Sequence, residues 1–104
     1  MSRFDVFANP SPSERPHTPY FLDVQNDYIE GLETRVVIPL RSAAAFGPRA
    51  QNLNPLLQVE GASVVLDCAT LGAVPISSLR RPIARLVDGR DEVQDALDTL
   101  FRAY

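Results

Sequence analysis

The residue types that catalyse reactions or bind metals are scarce in this 104-residue sequence and lie far apart. The only histidine, His17, falls in a proline-rich segment, which favours an exposed loop residue. The only cysteine, Cys68, follows an apolar run, which favours a buried core thiol over a nucleophile. Covalent catalysis needs a nucleophile and a base within reach of each other, and a metal site needs several ligands. The five glycines are scattered singly, so no phosphate-binding loop is formed. The sequence therefore predicts no catalytic residue, no metal site, no cofactor and no enzyme activity.

The C-terminal segment carries the clearest secondary-structure signal. Its apolar residues recur at helical spacing and predict an amphipathic helix. Asp88 is placed to cap the start of this helix, where the dipole also favours negative charge. The acidic residues of the segment predict a solvated helix face rather than paired catalytic carboxylates. The apolar stripe consists of Val93, Ala96, Leu97, Leu100, Phe101 and Tyr104, and the acidic residues are Asp88, Asp91, Glu92, Asp95 and Asp98.

The apolar stripe ends in two large aromatic residues, Phe101 and Tyr104, where most chains become polar. Phe101 is expected to complete the core-facing stripe, with an interface anchor as the alternative. Tyr104 favours the interface, because a terminal residue has little core left to join. Aromatic side chains anchor interfaces because they remove much area from water with little loss of rotamer freedom. The tail is therefore a candidate contact surface.

Composition and charge limit the possible partners. A net charge of −3 and a pI near 5.0 argue against direct binding to a nucleic-acid backbone, which needs a basic face. All ten cationic residues are arginine, which indicates compositional bias or, alternatively, a few planar contacts between arginine and carboxylate. The length predicts a single domain over residues 1–104. No signal-peptide pattern and no membrane-spanning run are apparent, so a cytoplasmic protein is expected.

Short strands followed by one helix predict an α+β fold. The proline-rich segment 9–19 is expected to be an extended surface loop. Pro39 lies inside a β-branched run and cannot donate to a ladder, which predicts an edge strand, a bulge or a strand end. Glu60-Gly61 predicts a hairpin turn, and Pro82–Val87 is compatible with a helical turn. The predicted strands are Ser2–Ala8, Tyr20–Gln25, Thr34–Arg41, Leu56–Glu60 and Ser63–Thr70, with a turn or short strand over Leu71–Ser77 and a short helix over Ser42–Phe46.

Five motifs in order resemble the CcdB family of toxins from plasmid and chromosomal toxin–antitoxin pairs. The family's V-D-V-Q-x-D segment corresponds to residues 22–27, and its R-x-V-I-P-L strand to residues 35–40. A V-P-[IV]-S turn matches Val74-Pro75-Ile76-Ser77, between a first strand with Phe4 and Val6 and the C-terminal helix. The resemblance spans the whole chain. It implies a small SH3-like barrel of mostly antiparallel strands with a C-terminal α-helix, as in CcdB and MazF.

The resemblance also implies a mechanism that uses contact surfaces. CcdB-like toxins act as homodimers whose C-termini insert into the dimerisation region of the DNA gyrase A subunit and trap the cleaved complex. A CcdA-like antitoxin neutralises them, and DNA is reached only through the antitoxin complex; no membrane is involved. Carried over to this chain, the gyrase contacts are Tyr28, Ile29, Asp98, Phe101, Arg102, Ala103 and Tyr104.

The last three of these residues depart from the family, because Arg102-Ala103-Tyr104 align with a terminal Trp-Gly-Ile. The family's tryptophan is believed to stack on a gyrase arginine, whereas Arg102 would set two cations face to face. Two alternatives therefore stand beside gyrase poisoning. One is a non-poisoning relative that binds the antitoxin and acts in transcriptional autoregulation. The other is an endoribonuclease like MazF, which shares the fold but must attract a polyanion and activate a ribose hydroxyl.

Overall fold

Antiparallel strands form a nearly closed barrel in the computed structural model, which describes residues 1–29 and 31–102. Within these residues the strand order is β4-β5-β3-β2-β1-β7, and β6 pairs with part of β3. The α+β prediction is confirmed. The strands are β1 (Asp5–Ala8), β2 (Tyr20–Asp23), β3 (Thr34–Ser42), β4 (Leu56–Val59), β5 (Ala62–Leu66), β6 (Gly72–Pro75) and β7 (Ala84–Arg85), and the helices are α1 (Ala43–Phe46) and α2 (Arg90–Phe101).

The hairpin of β4 and β5 forms where the turn residues predict it. Val59 pairs with Ala62 across the turn, and both central residues adopt positive φ, 50° at Glu60 and 82° at Gly61. Two positive φ values match the twist of the flanking strands, as in type I′ turns. The predicted second strand is too long, because β5 ends at Leu66 and Cys68–Thr70 form a 3-10 turn.

β3 is a central strand, so the expectation of an edge, bulge or strand end at Pro39 was wrong. β2 pairs along one side of β3, while the other side pairs first with β6 (residues 34–37) and then with β5 (residues 40–42). Pro39 lies where the neighbour changes, and its carbonyl accepts a hydrogen bond from the Asp67 amide at 3.0 Å. Within a strand the amide and carbonyl of one residue point the same way. The missing amide of Pro39 therefore faces the gap between β5 and β6, where no ladder bond is lost.

The sheet is covered on both faces near β1. Val6 faces the main core, and its neighbour Phe7 is also fully buried. Phe7 packs with Val37 and Leu79 in a second, smaller cluster on the opposite face. The main core comprises Val6, Leu22, Val24, Ile38, Leu40, Leu57, Val59, Val64, Leu66, Cys68, Leu86, Val93 and Ala96.

Two connecting segments differ from their predictions. The proline-rich segment is folded into turns rather than extended, because the Thr18 amide donates to the Glu14 carbonyl at 2.8 Å. Its first residue, Asn9, is buried. The Asn9 side chain donates to the Thr18 carbonyl at 2.9 Å and so closes the loop. The segment Pro82–Val87 is not helical, because Ala84 and Arg85 pair with β1 as strand β7.

The C-terminal helix confirms the amphipathic prediction but not its cap. Gly89 occupies the N-cap position, and no side chain caps the helix, so Asp88 does not act as predicted. A Cβ atom at Gly89 would lie 3.1 Å from Leu57 and 3.2 Å from Leu86. The start of α2 therefore packs closely on the barrel. The short helix α1 also begins after Ser42 as predicted, again without a side-chain cap.

Candidate functional site

A tight turn after β2 presents two apolar side chains to solvent. The Asn26 side chain accepts a hydrogen bond from the Tyr28 amide at 2.9 Å, and the Asn26 carbonyl accepts one from the Ile29 amide at 3.1 Å. Asparagine closes such turns because its short amide reaches its own backbone two residues on. Tyr28 is 93% exposed and Ile29 is 46% exposed. The turn thus holds apolar area in water that a partner could cover.

A buried ion pair anchors the chain on both sides of this turn. Arg35 on β3 contacts both carboxylate oxygens of Asp23 on β2, at 2.8 and 2.9 Å, and Asp23 has no exposed surface. Hydrogen bonding to Asp23 raises the pKa of Arg35 despite burial, which acts in the opposite direction. Arg35 also lies 3.6 Å from the Asp27 carboxylate in the turn. For Arg35 the structure confirms the planar arginine–carboxylate contact that the all-arginine composition offered as an alternative.

The N-terminal segment joins this turn to the C-terminal helix. The Arg3 amide donates to the Asp27 carboxylate at 2.7 Å, and the Arg3 guanidinium donates to the Gln94 side chain at 3.0 Å. Gln94 in turn donates to Asp98, one helical turn further on, at 3.2 Å. Arg3 therefore connects the turn that carries Tyr28 to the half of α2 that carries the other predicted contacts.

The backbone is strained at Phe4, the residue that follows Arg3. Phe4 has a φ of 74°, a region that non-glycine residues rarely adopt. Its amide donates to the Asp23 carbonyl at 2.7 Å, and its ring packs against the main core. The guanidinium of Arg3 lies 4.9 Å from the centre of that ring. Strain of this kind persists only where surrounding contacts enforce it, and here those contacts join Phe4 to Asp23 and to the main core.

The end of α2 is exposed, which corrects the core interpretation of Phe101. Val93 and Ala96 are buried and Leu97 and Leu100 are half-buried, but Phe101 is 69% exposed. Within the described residues, Leu100 is the last residue of α2 that packs against the main core, and Phe101 lies beyond it. All five acidic residues of the segment are exposed, as the solvated-face interpretation predicts: Asp88, Asp91, Glu92, Asp95 and Asp98.

The chain leaves the helix at Arg102, whose side chain is exposed and whose amide donates to the Asp98 carbonyl at 2.9 Å. Tyr28, Ile29, Asp98, Phe101 and Arg102 are thus all accessible on two elements that Arg3 connects. The remaining predicted contacts, Ala103 and Tyr104, lie outside the described residues.

A shallow groove of about 400 Å³ lies beside the turn and was not predicted. Its wall includes Met1, Ile29, Leu32 and Ile76, each at least 36% exposed, and Arg35 lies at its edge. Large apolar residues that share an exposed surface mark contact sites more often than single ones do. These residues come from distant parts of the chain and share no periodic pattern, so sequence reasoning could not group them.

A second polar cluster contains the only histidine. The His17 ring lies 3.1 Å from the Thr18 hydroxyl, which accepts a hydrogen bond from Arg41 at 2.8 Å, and Arg41 is paired with Asp67 at 2.9 Å. His17 is exposed as predicted, but Thr18 is only 4% exposed, so its hydroxyl is out of reach of a large substrate. The cluster therefore fastens the proline-rich loop to β3.

Cys68 is fully buried, as predicted. Burial, aided by the nearby charge of Asp67, raises the pKa of the thiol and disfavours the reactive thiolate. Among residues 1–29 and 31–102, no three His, Cys, Asp or Glu side chains are grouped so that they could hold a metal ion. In the same part of the chain, no helix has the length and apolar character needed to span a bilayer.

Fold and site together define a small barrel-and-helix protein that exposes the aromatic side chains of Tyr28 and Phe101 to solvent. The model of the CcdB protein family matches residues 3–103, nearly the whole chain. The chain therefore belongs to the CcdB family, the toxins of toxin–antitoxin pairs, as its motifs indicated.

Proposed function

We propose that this chain is the toxin of a CcdA/CcdB-type pair, that it inhibits DNA gyrase by binding the gyrase A subunit, and that a CcdA-like antitoxin neutralises it. The observation that carries the proposal is the joint exposure of Tyr28 and Phe101 on two elements that Arg3 connects. Trapping of the cleaved gyrase complex would follow from occupation of the gyrase dimerisation region.

The composition of this surface suits a protein partner. Tyr28 and Phe101 are rigid side chains whose burial removes large apolar areas from water at small entropic cost. Asp98 is an exposed carboxylate one turn before Phe101 and can pair with a cation on the partner. A surface with aromatic residues and an acidic group fits a protein better than a phosphate backbone.

A direct test replaces each aromatic anchor and measures binding to a purified gyrase A fragment. Loss of a central aromatic anchor costs about 2 kcal/mol, so Tyr28→Ser and Phe101→Ser are each expected to weaken binding by roughly 30-fold. Leu56→Ser is the matched control, because Leu56 is 44% exposed but lies on β4, outside the proposed surface. Equal losses for all three variants would contradict the proposed surface.

Arg102 supports the second candidate function, a non-poisoning relative that binds the antitoxin in transcriptional autoregulation. Its exposed guanidinium stands where CcdB-like toxins carry a tryptophan. A tryptophan on a gyrase arginine gains about 0.5–2 kcal/mol from cation–π attraction, whereas two facing cations repel each other. The two functions therefore differ in whether the exposed tail still engages gyrase.

Induction in cells, combined with a supercoiling assay on purified gyrase, separates the two functions. Growth arrest and a trapped complex for the natural sequence support the toxin. Activity that appears only in Arg102→Trp supports the non-poisoning relative. Arg90→Trp is the control, because it places tryptophan at the opposite end of α2. RNA cleavage by the purified protein, with gyrase unaffected, would replace both functions with that of a ribonuclease.

We also propose that the toxin acts as a homodimer. The exposed apolar residues Met1, Leu32 and Ile76 around the groove beside the turn supply area that a second copy could bury. Light scattering measures this directly. A mass of two chains is expected, and a mass of one chain at micromolar concentration would exclude paired C-termini.

A further inference from the structure

One side of strand β4 has no pairing partner. β4 is the terminal strand of the sheet, and β5 pairs with only one of its two sides. The Leu66 amide donates to the Pro55 carbonyl at 3.1 Å, so every second residue from 55 onward directs its backbone groups toward β5. The amides and carbonyls of Leu56 and Gln58 therefore point away from β5, to a side that no strand within residues 1–29 and 31–102 occupies.

β4 also lacks the features that normally protect a free strand edge. Charged side chains, prolines and bulges discourage a further strand from pairing at such an edge. Residues 56–59 include no charged residue and no proline, and their register with β5 is continuous. The side chain of Leu56 is exposed. The strand thus offers unpaired backbone groups and apolar area in the same place.

A groove of about 330 Å³ lies beside the start of β4. One wall is α2, which contributes the carboxylates of Glu92 and Asp95, and the opposite wall includes Leu56. Both carboxylates are exposed, and neither belongs to an ion pair in the described part of the chain. Arg49, the cation of the lining, donates instead to the Asn54 carbonyl at 3.1 Å. The groove therefore joins a free strand edge to unpaired negative charge.

The two carboxylates have a spacing that suits an added strand. Glu92 and Asp95 are three positions apart on α2, which brings Cβ atoms to about 5–6 Å. Side chains two positions apart on a strand share a face and lie about 7 Å apart. Leu57 faces the start of α2, where Gly89 packs closely on it. In a strand added beside β4, one set of alternate side chains would share the face of Leu57 and meet α2, and the other set would lie beside Leu56.

We propose that the free side of β4 binds an extended segment of a partner protein by antiparallel strand addition, with basic residues facing Glu92 and Asp95 and apolar residues beside Leu56. In complexes of this kind the backbone hydrogen bonds supply affinity, and pockets for alternate side chains supply specificity. The sign of the charge in the groove selects a basic segment and rejects an acidic one.

The charge part of the proposal is tested by fluorescence anisotropy with the full chain and a short labelled peptide in which arginine alternates with valine. An exposed ion pair contributes up to about fivefold in affinity, so Glu92→Gln is expected to weaken binding about threefold to fivefold. Asp91→Asn is the matched control, because Asp91 lies in the same first turn of α2 but outside the groove lining. It should change affinity by less than about twofold. Circular dichroism checks that both variants are folded.

The strand-addition part makes a prediction that charge attraction alone does not make. In antiparallel pairing the valine amides would face β4 and the arginine amides would face away. N-methylation of the valines should therefore weaken binding by about tenfold or more, whereas N-methylation of the arginines should have little effect. Leu56→Pro removes an outward amide at the first residue of a strand, where proline is tolerated. It should bind the peptide about tenfold more weakly than Leu56→Ala, which keeps the amide.

Four results of these measurements would overturn the proposal. They are no measurable binding by the natural chain, equal binding of a peptide with glutamine in place of arginine, equal losses for the two N-methylated peptides, and an equal loss in Asp91→Asn. Light scattering adds a fifth. If Leu56→Pro changes a mass of two chains into a mass of one, a second copy of this chain occupies the free side of β4 instead.

Discussion

Replacement of Arg35 by methionine would remove the buried ion pair that holds β2 to β3 below the Tyr28 turn. Methionine approximates the length of the arginine stem but has no charge and no donor. In the variant, the Asp23 carboxylate would stay buried but would have lost its cation. Of its present partners, the Asp23 carboxylate would keep only the Gln25 amide at 3.0 Å.

The expected cost follows from the two bonds that are lost. Hydrogen bonds to charged groups contribute about 1.5–3 kcal/mol each, and an unpaired buried charge typically costs about 3–5 kcal/mol. We therefore expect Arg35→Met to lower the free energy of unfolding by about 3–5 kcal/mol. Domains of this size have about 5–15 kcal/mol in total, so the melting temperature should fall by more than roughly 12 °C.

Urea unfolding followed by circular dichroism measures this loss, with Arg41→Met as the matched control. The pair of Arg41 with Asp67 is more exposed, at 31% and 12% of the side chains, so its loss together with the Arg41 bond to Thr18 should cost only about 1–2 kcal/mol. Asp23→Leu/Arg35→Met should recover much of the stability, because an apolar pair leaves no unpaired charge. The reasoning is refuted if Arg35→Met costs no more than Arg41→Met, or if the double variant is less stable than the single one.

Three further predictions concern the turn between β4 and β5, the Cys68 thiol, and the link that Arg3 makes between the Tyr28 turn and α2. Glu60→Asn should stabilise the fold by about 0.5–1 kcal/mol, because asparagine tolerates positive φ. Gly61→Ala should destabilise the fold by about 1 kcal/mol through backbone strain alone. Urea unfolding measures both changes. Cys68 should react with a thiol reagent at pH 8 only when the chain unfolds, and labelling across a urea series measures this. Because folding raises the pKa of the Cys68 thiol, the free energy of unfolding should fall as the pH rises past the ordinary thiol pKa of 9.0. Arg3→Ala keeps the hydrogen bond from the backbone amide of residue 3 to Asp27 but removes the side-chain contact with Gln94. It should therefore weaken the proposed gyrase binding several-fold with little loss of stability. Unchanged binding would show that the link between the Tyr28 turn and α2 does not position the site.

Features with local causes were predictable from the sequence. The hairpin at Glu60-Gly61 follows from the turn residues and the apolar runs beside them. The C-terminal helix follows from a stripe that repeats within a few residues. Burial of Cys68 follows from its residue type and its position after an apolar run.

Features that depend on distant neighbours were not predictable. Pro39 fits a central strand only because β5 and β6 meet opposite it. Phe7 is buried because Leu79, far along the chain, covers the second face of the sheet. Within the Pro82–Val87 segment, Ala84 and Arg85 form a strand because β1 offers them a pairing partner, and this pairing outweighs any short-range helical tendency.

The sequence by itself determined the family and the α+β fold class, since motif order and short-range periodicity are properties of the chain alone. Only the tertiary structure decided that Phe101 lies in solvent and that Arg3 joins the Tyr28 turn to α2. The contact between Arg3 and Gln94 spans 91 positions. Long-range contacts of this kind arise from how the barrel closes, and that geometry is not encoded in any single segment.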